Sequence, residues 1–243
     1  MHNLEKNRLE INYWRDTPGE APGPLGVPNI LNKMLDATRL FAFFQRFERL
    51  FAGRILELGA GQGWASCLIK RLVPAAHVVA TDISPYAIAS VPEWERLWGV
   101  KLDGAYACLS ASTREADASQ DLVFCFGAAH HFTDMAGTLR EIHRTLKPAG
   151  TALFLYEPSS PAYIHPLAKW RVNRVRPAVP EDLLIRRDLM TLGYLARLEV
   201  SVENCFSTIG RSLPAALYYR ALSIVPPLTH VLPCAMHAVL KKA

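Results

Sequence analysis

Ile55-Leu-Glu-Leu-Gly-Ala-Gly-Gln-Gly-Trp64 is the stretch on which the fold of this 243-residue chain turns. Arg54–Leu58 is a short apolar run that reads as a buried strand. It opens into Gly59, Gly61 and Gly63 at alternate positions, and Trp64–Leu72 then sets Ala65, Leu68, Ile69 and Leu72 at helical spacing. A loop without side chains turns sharply and lets a ligand reach its backbone, while the helix behind it offers free N–H groups. The dinucleotide form of this loop, G-x-G-x-x-G/A, needs a small third residue for helix–strand packing. Counted from Gly59 that position is Trp64, and counted from Gly61 it is Ser66. The bulk of Trp64 argues against a pyrophosphate cradle.

Outward from the loop, strands and helices alternate. Val78–Thr81, Gly104–Leu109, Leu122–Phe126 and Thr151–Tyr156 read as further strands, and Met135–Leu146 as a helix ended by Lys147-Pro-Ala-Gly150. Ser84-Pro85 is a good helix start, Pro92 kinks or restarts that helix, and Gly99 ends it. Such a rhythm implies a parallel sheet with right-handed crossovers. Glu181–Leu195 is expected as a helix, Leu198–Phe206 and Ala235–Leu240 as closing strands, and Leu213–Val225 as a helical segment between them. Upstream, Leu31–Phe51 carries a helical apolar pattern that Gly53 caps, preceded by an arm bearing Tyr13 and Trp14 and a Pro/Gly-rich passage, Thr17–Pro28.

The segment Glu57-x-Gly59-x-Gly61-x-Gly63 resembles the first motif of class I S-adenosylmethionine-dependent methyltransferases of the small-molecule, type 11-like kind. Downstream, Gln120–Asp134 with its His130-His-Phe-Thr-Asp134 ending, and Leu139-Arg-Glu-Ile-His-Arg-Thr-Leu-Lys-Pro-Ala-Gly150, resemble that family's fourth-strand segment and its following helix and turn. The resemblance covers about residues 54–157. It implies an α/β fold: a Rossmann-like, doubly wound, mostly parallel seven-stranded sheet with an antiparallel closing strand, here Ala235–Leu240, plus an N-terminal helical arm. Residues 1–50 are read as the arm and helix on the lid or substrate side. Residues 51–243 are read as the methyltransferase domain, with 158–180 and 207–233 as substrate-side insertions.

The same resemblance implies S-adenosylmethionine as cofactor, S-adenosylhomocysteine as product, and a small-molecule acceptor. It places Glu57, Gly59, Ala60, Gly61, Gly63, Asp82, Ile83, Leu109, Ser110 and Phe126 around the cofactor. Asp82 ends the second strand, where a carboxylate accepts both hydroxyls of a ribose. Ser84 is better placed than Asp82 to cap the following helix. Many relatives carry an acid after the third strand for the adenine amine, whereas Ala107-Cys-Leu-Ser-Ala111 has none. Backbone groups, Ser110, or packing from Ile83 and Leu109 are left to read the base.

Ligands of parallel sheets sit beyond the carboxyl ends of the strands, which brings His130, His131 and Glu157 to the methyl group. In related O-methyltransferases a His in this segment is the general base, so His131 with Glu157 behind it is the first catalytic candidate and His130 the second. The acceptor group favoured is a hydroxyl of a biosynthetic metabolite. A non-catalytic S-adenosylmethionine-binding module, a membrane-surface methyltransferase of a lipid-like acceptor, and an NAD-dependent oxidoreductase are the competing readings.

Half the residues are apolar and the net charge is +5, which suits one soluble domain with appendages. Basic residues gather at Lys169, Arg171, Arg174, Arg176, Arg186 and Arg187 without a nucleic-acid recognition motif. No nucleic-acid partner is therefore expected, and contact with a membrane surface stays open. The five cysteines show no metal-ligand spacing and read as reduced core thiols. No metal is expected. The charged N-terminus and the Pro- and Arg-broken stretch Ser212–Leu240 give neither a secretory signal nor a membrane span, so a cytoplasmic location is expected. Oligomeric state is not written in the chain.

Overall fold

The computed structural model describes residues 3–17, 20, 22, 23, 26–175 and 179–242. Strands β1 (Arg54–Leu58), β2 (His77–Asp82), β3 (Gly104–Ala107), β4 (Gln120–Phe126), β5 (Leu146–Ser159), β6 (Leu198–Cys205) and β7 (Cys234–Lys242) form one sheet, in the order β3-β2-β1-β4-β5-β7-β6. The pairings from β3 through β5 are parallel, and β7 runs antiparallel between β5 and β6. This is the expected Rossmann-like sheet. Strand order reverses between β1 and β4, the switch point where open α/β sheets bind ligands.

Both faces of the sheet are buried, as parallel sheets require. Along β1, Ile55 joins a core layer with Leu40, Phe43, Phe44, Phe51, Ile69, Trp94 and Phe124. Leu56 and Leu58 join the opposite layer with Val123, Leu139, Ile142, Phe154 and Met236. The first layer is covered by α2 (Val27–Phe47), α3 (Trp64–Leu72) and α5 (Val91–Trp98), the second by α6 (Met135–Thr145) and α8 (Arg186–Leu195).

Several boundaries differ from those expected. α2 begins at Val27, with Pro28 in its first turn, and ends at Phe47 in a 3-10 turn, Glu48–Leu50. The helix begun at Ser84 is split into α4 (Pro85–Ile88) and α5, because Pro92 restarts it; Ser84 Oγ accepts from Ala87 N–H. The helix expected from Glu181 starts only at Arg186. Leu184 is held extended, its N–H donating to Pro158 O and its carbonyl accepting from Ser160 N–H. Residues 158–180 contain a helix not expected from the sequence, α7 (His165–Val175), and 207–233 contain α9 (Leu213–Ile224). Arg176 lies outside the described residues. All five cysteines are free thiols.

The arm is helical: α1 (Asn3–Asp16) buries no residue fully, yet it lies across the carboxyl ends of β1 and β2. Asn3, Asn7, Glu10 and Trp14, spaced 4, 3 and 4, share its inner face. Asn3 Nδ2 donates to Thr133 O, Thr133 Oγ1 to Asn7 Oδ1, and Glu10 meets His131.

Candidate active site

Gly59, Gly61 and Gly63 all take left-handed φ, at 66°, 54° and 77°. Two of them are glycine for opposite reasons. A Cβ on Gly59 would stand 2.8 Å from Ala128 Cβ and 3.1 Å from the Phe132 ring, so that position is closed by the loop after β4. A Cβ on Gly61 would meet only the Trp14 ring, at 3.4 Å. With the covering helix aside, the backbone at Gly61 faces open space.

Asp82, at the end of β2, is almost wholly buried. Its Oδ2 accepts from Gly61 N–H at 2.8 Å and its Oδ1 from Ser84 N–H at 2.8 Å. Burial pushes this carboxyl up to about 6 against those two bonds, and nearby Glu10 adds to the rise. Each oxygen keeps acceptor capacity for one further donor. Ile83 is half-buried beside it, Leu109 is exposed, and Ser110 Oγ is bonded to Thr138 Oγ1 at 2.7 Å. Ala60 N–H donates to Thr81 O. Glu57 points back into the protein: Ser66 N–H and Oγ both donate to its Oε2, anchoring the first turn of α3, and burial lifts it to about 7. Phe126 ends β4 half-buried, its ring edge-on to Trp64 with centroids 5.3 Å apart.

The histidine pair divides differently from the sequence expectation. Glu157 stands behind His130, not His131. It is fully buried and accepts from the N–H groups of Ala128, Ala129 and His130 and from the His130 ring, Nδ1 to Oε2 2.8 Å. His130 Nε2 lies 3.5 Å from Glu181. Burial pulls the His130 pKa down, but its bonds to Glu157 and Glu181 outweigh that and raise it to about 9. His130 therefore holds its proton at neutral pH. The more exposed His131 turns to the covering helix, with Nδ1 2.6 Å from Glu10 Oε1. The sequence could not assign the partners of adjacent histidines, because the 3-10 turn Ala129–His131 alone sets which ring points inward. Glu10 was missed altogether; the Asn3-Asn7-Glu10-Trp14 stripe was the available signal.

A sheet reversing at β1/β4, a glycine loop and a buried acid at the end of β2 meet at one end of the sheet, the arrangement that the resemblance to S-adenosylmethionine-dependent methyltransferases implies. Residues 56–154 match the family described as "Methyltransferase domain". The chain is 33% identical over 100 residues to a malonyl-[acyl-carrier protein] O-methyltransferase of Hahella chejuensis, covering 40% of this chain and 33% of that one. The match thus spans about a third of the length of that curated relative. Among solved structures, YcgJ from Bacillus subtilis superposes with a TM-score of 0.60 at 17% identity, covering 84% of this chain and 96% of its own. The geranyl diphosphate C-methyltransferase of Streptomyces coelicolor, in complex with Mg2+, geranyl diphosphate and S-adenosyl-L-homocysteine, gives 0.61 at 12% identity, covering 79% and 74%. At such identities the structures speak for the fold.

The residues present fit the cofactor. Asp82 keeps an acceptor on each oxygen for vicinal hydroxyls, Gly61 leaves its backbone approachable, and Ile83 and Leu109 offer apolar surface beside the acid.

Proposed function

We propose that this protein transfers a methyl group from S-adenosylmethionine to a small-molecule acceptor, with a hydroxyl as the receiving group. The observation that carries the reading is the buried Asp82 carboxylate beside the Gly61 backbone, beneath a helix that brings Glu10 to His131. When bound, S-adenosylmethionine supplies an electrophilic sulfonium methyl, so the chemistry is the cofactor's and alignment is the protein's task. Asp82 would hold the ribose hydroxyls, and the Gly59–Gly63 backbone would give room for the rest. His131, with Nδ1–H donated to Glu10, presents the lone pair of Nε2 to take the hydroxyl proton. His130, kept protonated and clamped by Glu157, holds the turn on which His131 sits. The covering helix shields the centre from water, and orientation of this kind supplies roughly 7–11 kcal/mol of barrier reduction.

Methyl transfer over an acceptor panel, measured alongside S-adenosylhomocysteine affinity, tests the reading. His131→Ala is expected to lower turnover about 100-fold or more, with affinity changed only a few-fold, and Glu10→Gln to lower it less. An unaltered rate in His131→Ala removes it as the base. Tight product binding without turnover on any acceptor favours the silent binding module instead.

A second reading, the same chemistry on a lipid-like acceptor at a membrane surface, is favoured by exposed Leu213, Leu217 and Ile224 on α9. On α7, exposed Trp170 sits beside Arg171 and Arg174. Among the described residues no helix is long and apolar enough to cross a membrane.

A further inference from the structure

The ladder between β5 and β7 breaks its register between Phe154 and Glu157, and inside that break Tyr156 adopts φ 58°. A bulky residue in the left-handed region is strained, and bulges next to active sites commonly re-aim a side chain. Here the Tyr156 ring stacks on Phe126, centroids 5.7 Å apart and planes 14° apart. Phe126 in turn meets Trp64 at the start of α3. The three rings run from the glycine loop to a cavity of about 270 Å³ beside α2, whose walls include Arg39, Tyr156, Asn204, Ser207 and His237.

The cavity wall carries two guanidinium groups, Arg39 and Arg46, and one carboxylate, Glu203. The Arg39 guanidinium lies 4.3 Å from the Tyr156 centroid; it is paired with Asp36 and bonded to Ile209 O, and its buried Nε has no partner among the described residues. Arg46 is paired with Glu203 at 2.9 Å. Arg211 is not itself a wall residue but borders the wall, 3.4 Å from the Tyr219 centroid and 5.4 Å from that of Tyr156. Its Nε donates to Ser207 O, and among the described residues it has no carboxylate partner. A guanidinium laid flat on a ring keeps its edge N–H groups for a planar anion. Tyr156 N–H donates to His237 Nδ1 at 3.1 Å, which leaves Nε2–H as the donor of that ring, and burial pushes His237 down to about 4, so it stays neutral.

We propose that this cavity is an anion subsite for the methyl acceptor, in which a carboxylate or phosphate group is held by Arg211 at the cavity's edge, with Arg39 and His237 of its wall beside it. The proposal rests on the methyltransferase reading and names its substrate class: a small acceptor bearing an anionic oxygen group, its nucleophile reaching past Tyr156 and Phe126 toward the glycine loop.

Protein saturated with S-adenosylhomocysteine is titrated with inorganic phosphate and, separately, with acetate, against chloride at equal ionic strength, and followed by NMR shifts of Arg side chains. Saturable binding of one anion over chloride is expected, and the two arms tell phosphate from carboxylate. Arg211→Gln should weaken it at least tenfold with product affinity within twofold of wild type. Arg211→Lys, which keeps the charge and loses the fork, should fall between. No saturable binding of either anion, or equal anion affinity in Arg211→Gln or Arg211→Lys and wild type, overturns the subsite. Anion binding in protein that takes no S-adenosylhomocysteine would instead sink the methyltransferase reading and leave the subsite standing.

Discussion

Burial lifts the Asp82 carboxyl to about 6 although two backbone N–H groups donate to it. A folded-state pKa above the ordinary 3.8 adds stability that is full below pH ~4 and is lost as pH rises through 6. The ionised group then costs roughly 3 kcal/mol, two pH units at about 1.4 kcal/mol each. Asp82→Asn is therefore expected to raise the melting temperature at pH 8 and to raise it about half as much at pH 5. Its S-adenosylhomocysteine affinity at pH 8 should fall at least tenfold, and wild-type affinity should weaken from pH 8 to pH 5 as the acceptor takes up a proton. Melting curves and calorimetry at both values check this; unchanged affinity in Asp82→Asn refutes the ribose assignment. His130 runs the same way at higher pH: its stabilisation is present below 6.5 and is lost as pH rises through about 9. The position of Asp82 at the end of β2 could be read from its place after an apolar strand. The partner of His130 could not, since Glu157 lies 27 residues on and meets it only through the β4–β5 pairing.

At the scale of elements, periodicity located the strands and helices that face the core on a repeat, such as α3 with Ala65, Leu68 and Ile69 buried. It misplaced the start of α8, because Leu184 is tied to the end of β5 by bonds from distant residues. α7 escaped notice for another reason. It leaves Leu167 and Trp170 exposed and buries Ala168, so no broad apolar stripe marks it. Those side chains and the outer face of α9 give an apolar surface with arginines at its side, which is the basis of the membrane-surface reading. On that reading the protein should co-sediment with vesicles containing phosphatidylserine at low salt, and release as salt rises toward 0.5 M. Leu217→Asp should cut the bound fraction severalfold. Absence of binding at low salt removes the lipid-like acceptor and leaves the soluble one. α1 is held over the glycine loop by Asn3, Asn7, Glu10 and Trp14 rather than by a buried apolar face.

For the whole molecule, the reversal of strand order between β1 and β4 concentrates the glycine loop, Asp82 and the histidine turn at one end of the sheet. A ligand seated there stabilises the entire fold. S-adenosylhomocysteine at 100 times its Kd should add about 2.7 kcal/mol, a rise of roughly 5–10 °C for a chain of this size. NAD at the same concentration should give none, and a larger shift with NAD would turn the reading to an oxidoreductase. The amino-acid sequence by itself determined the α/β class, the parallel sheet and the glycine loop, because local periodicity and the three glycines act over a few residues. Only the tertiary structure decided that Glu157 clamps His130, that Glu10 arrives at His131 from the far end of the chain, and that Arg39, Arg211 and His237 converge around Tyr156. Those contacts join residues 27 to 121 positions apart, and burial and charge at such meetings are set by packing, which no local pattern encodes.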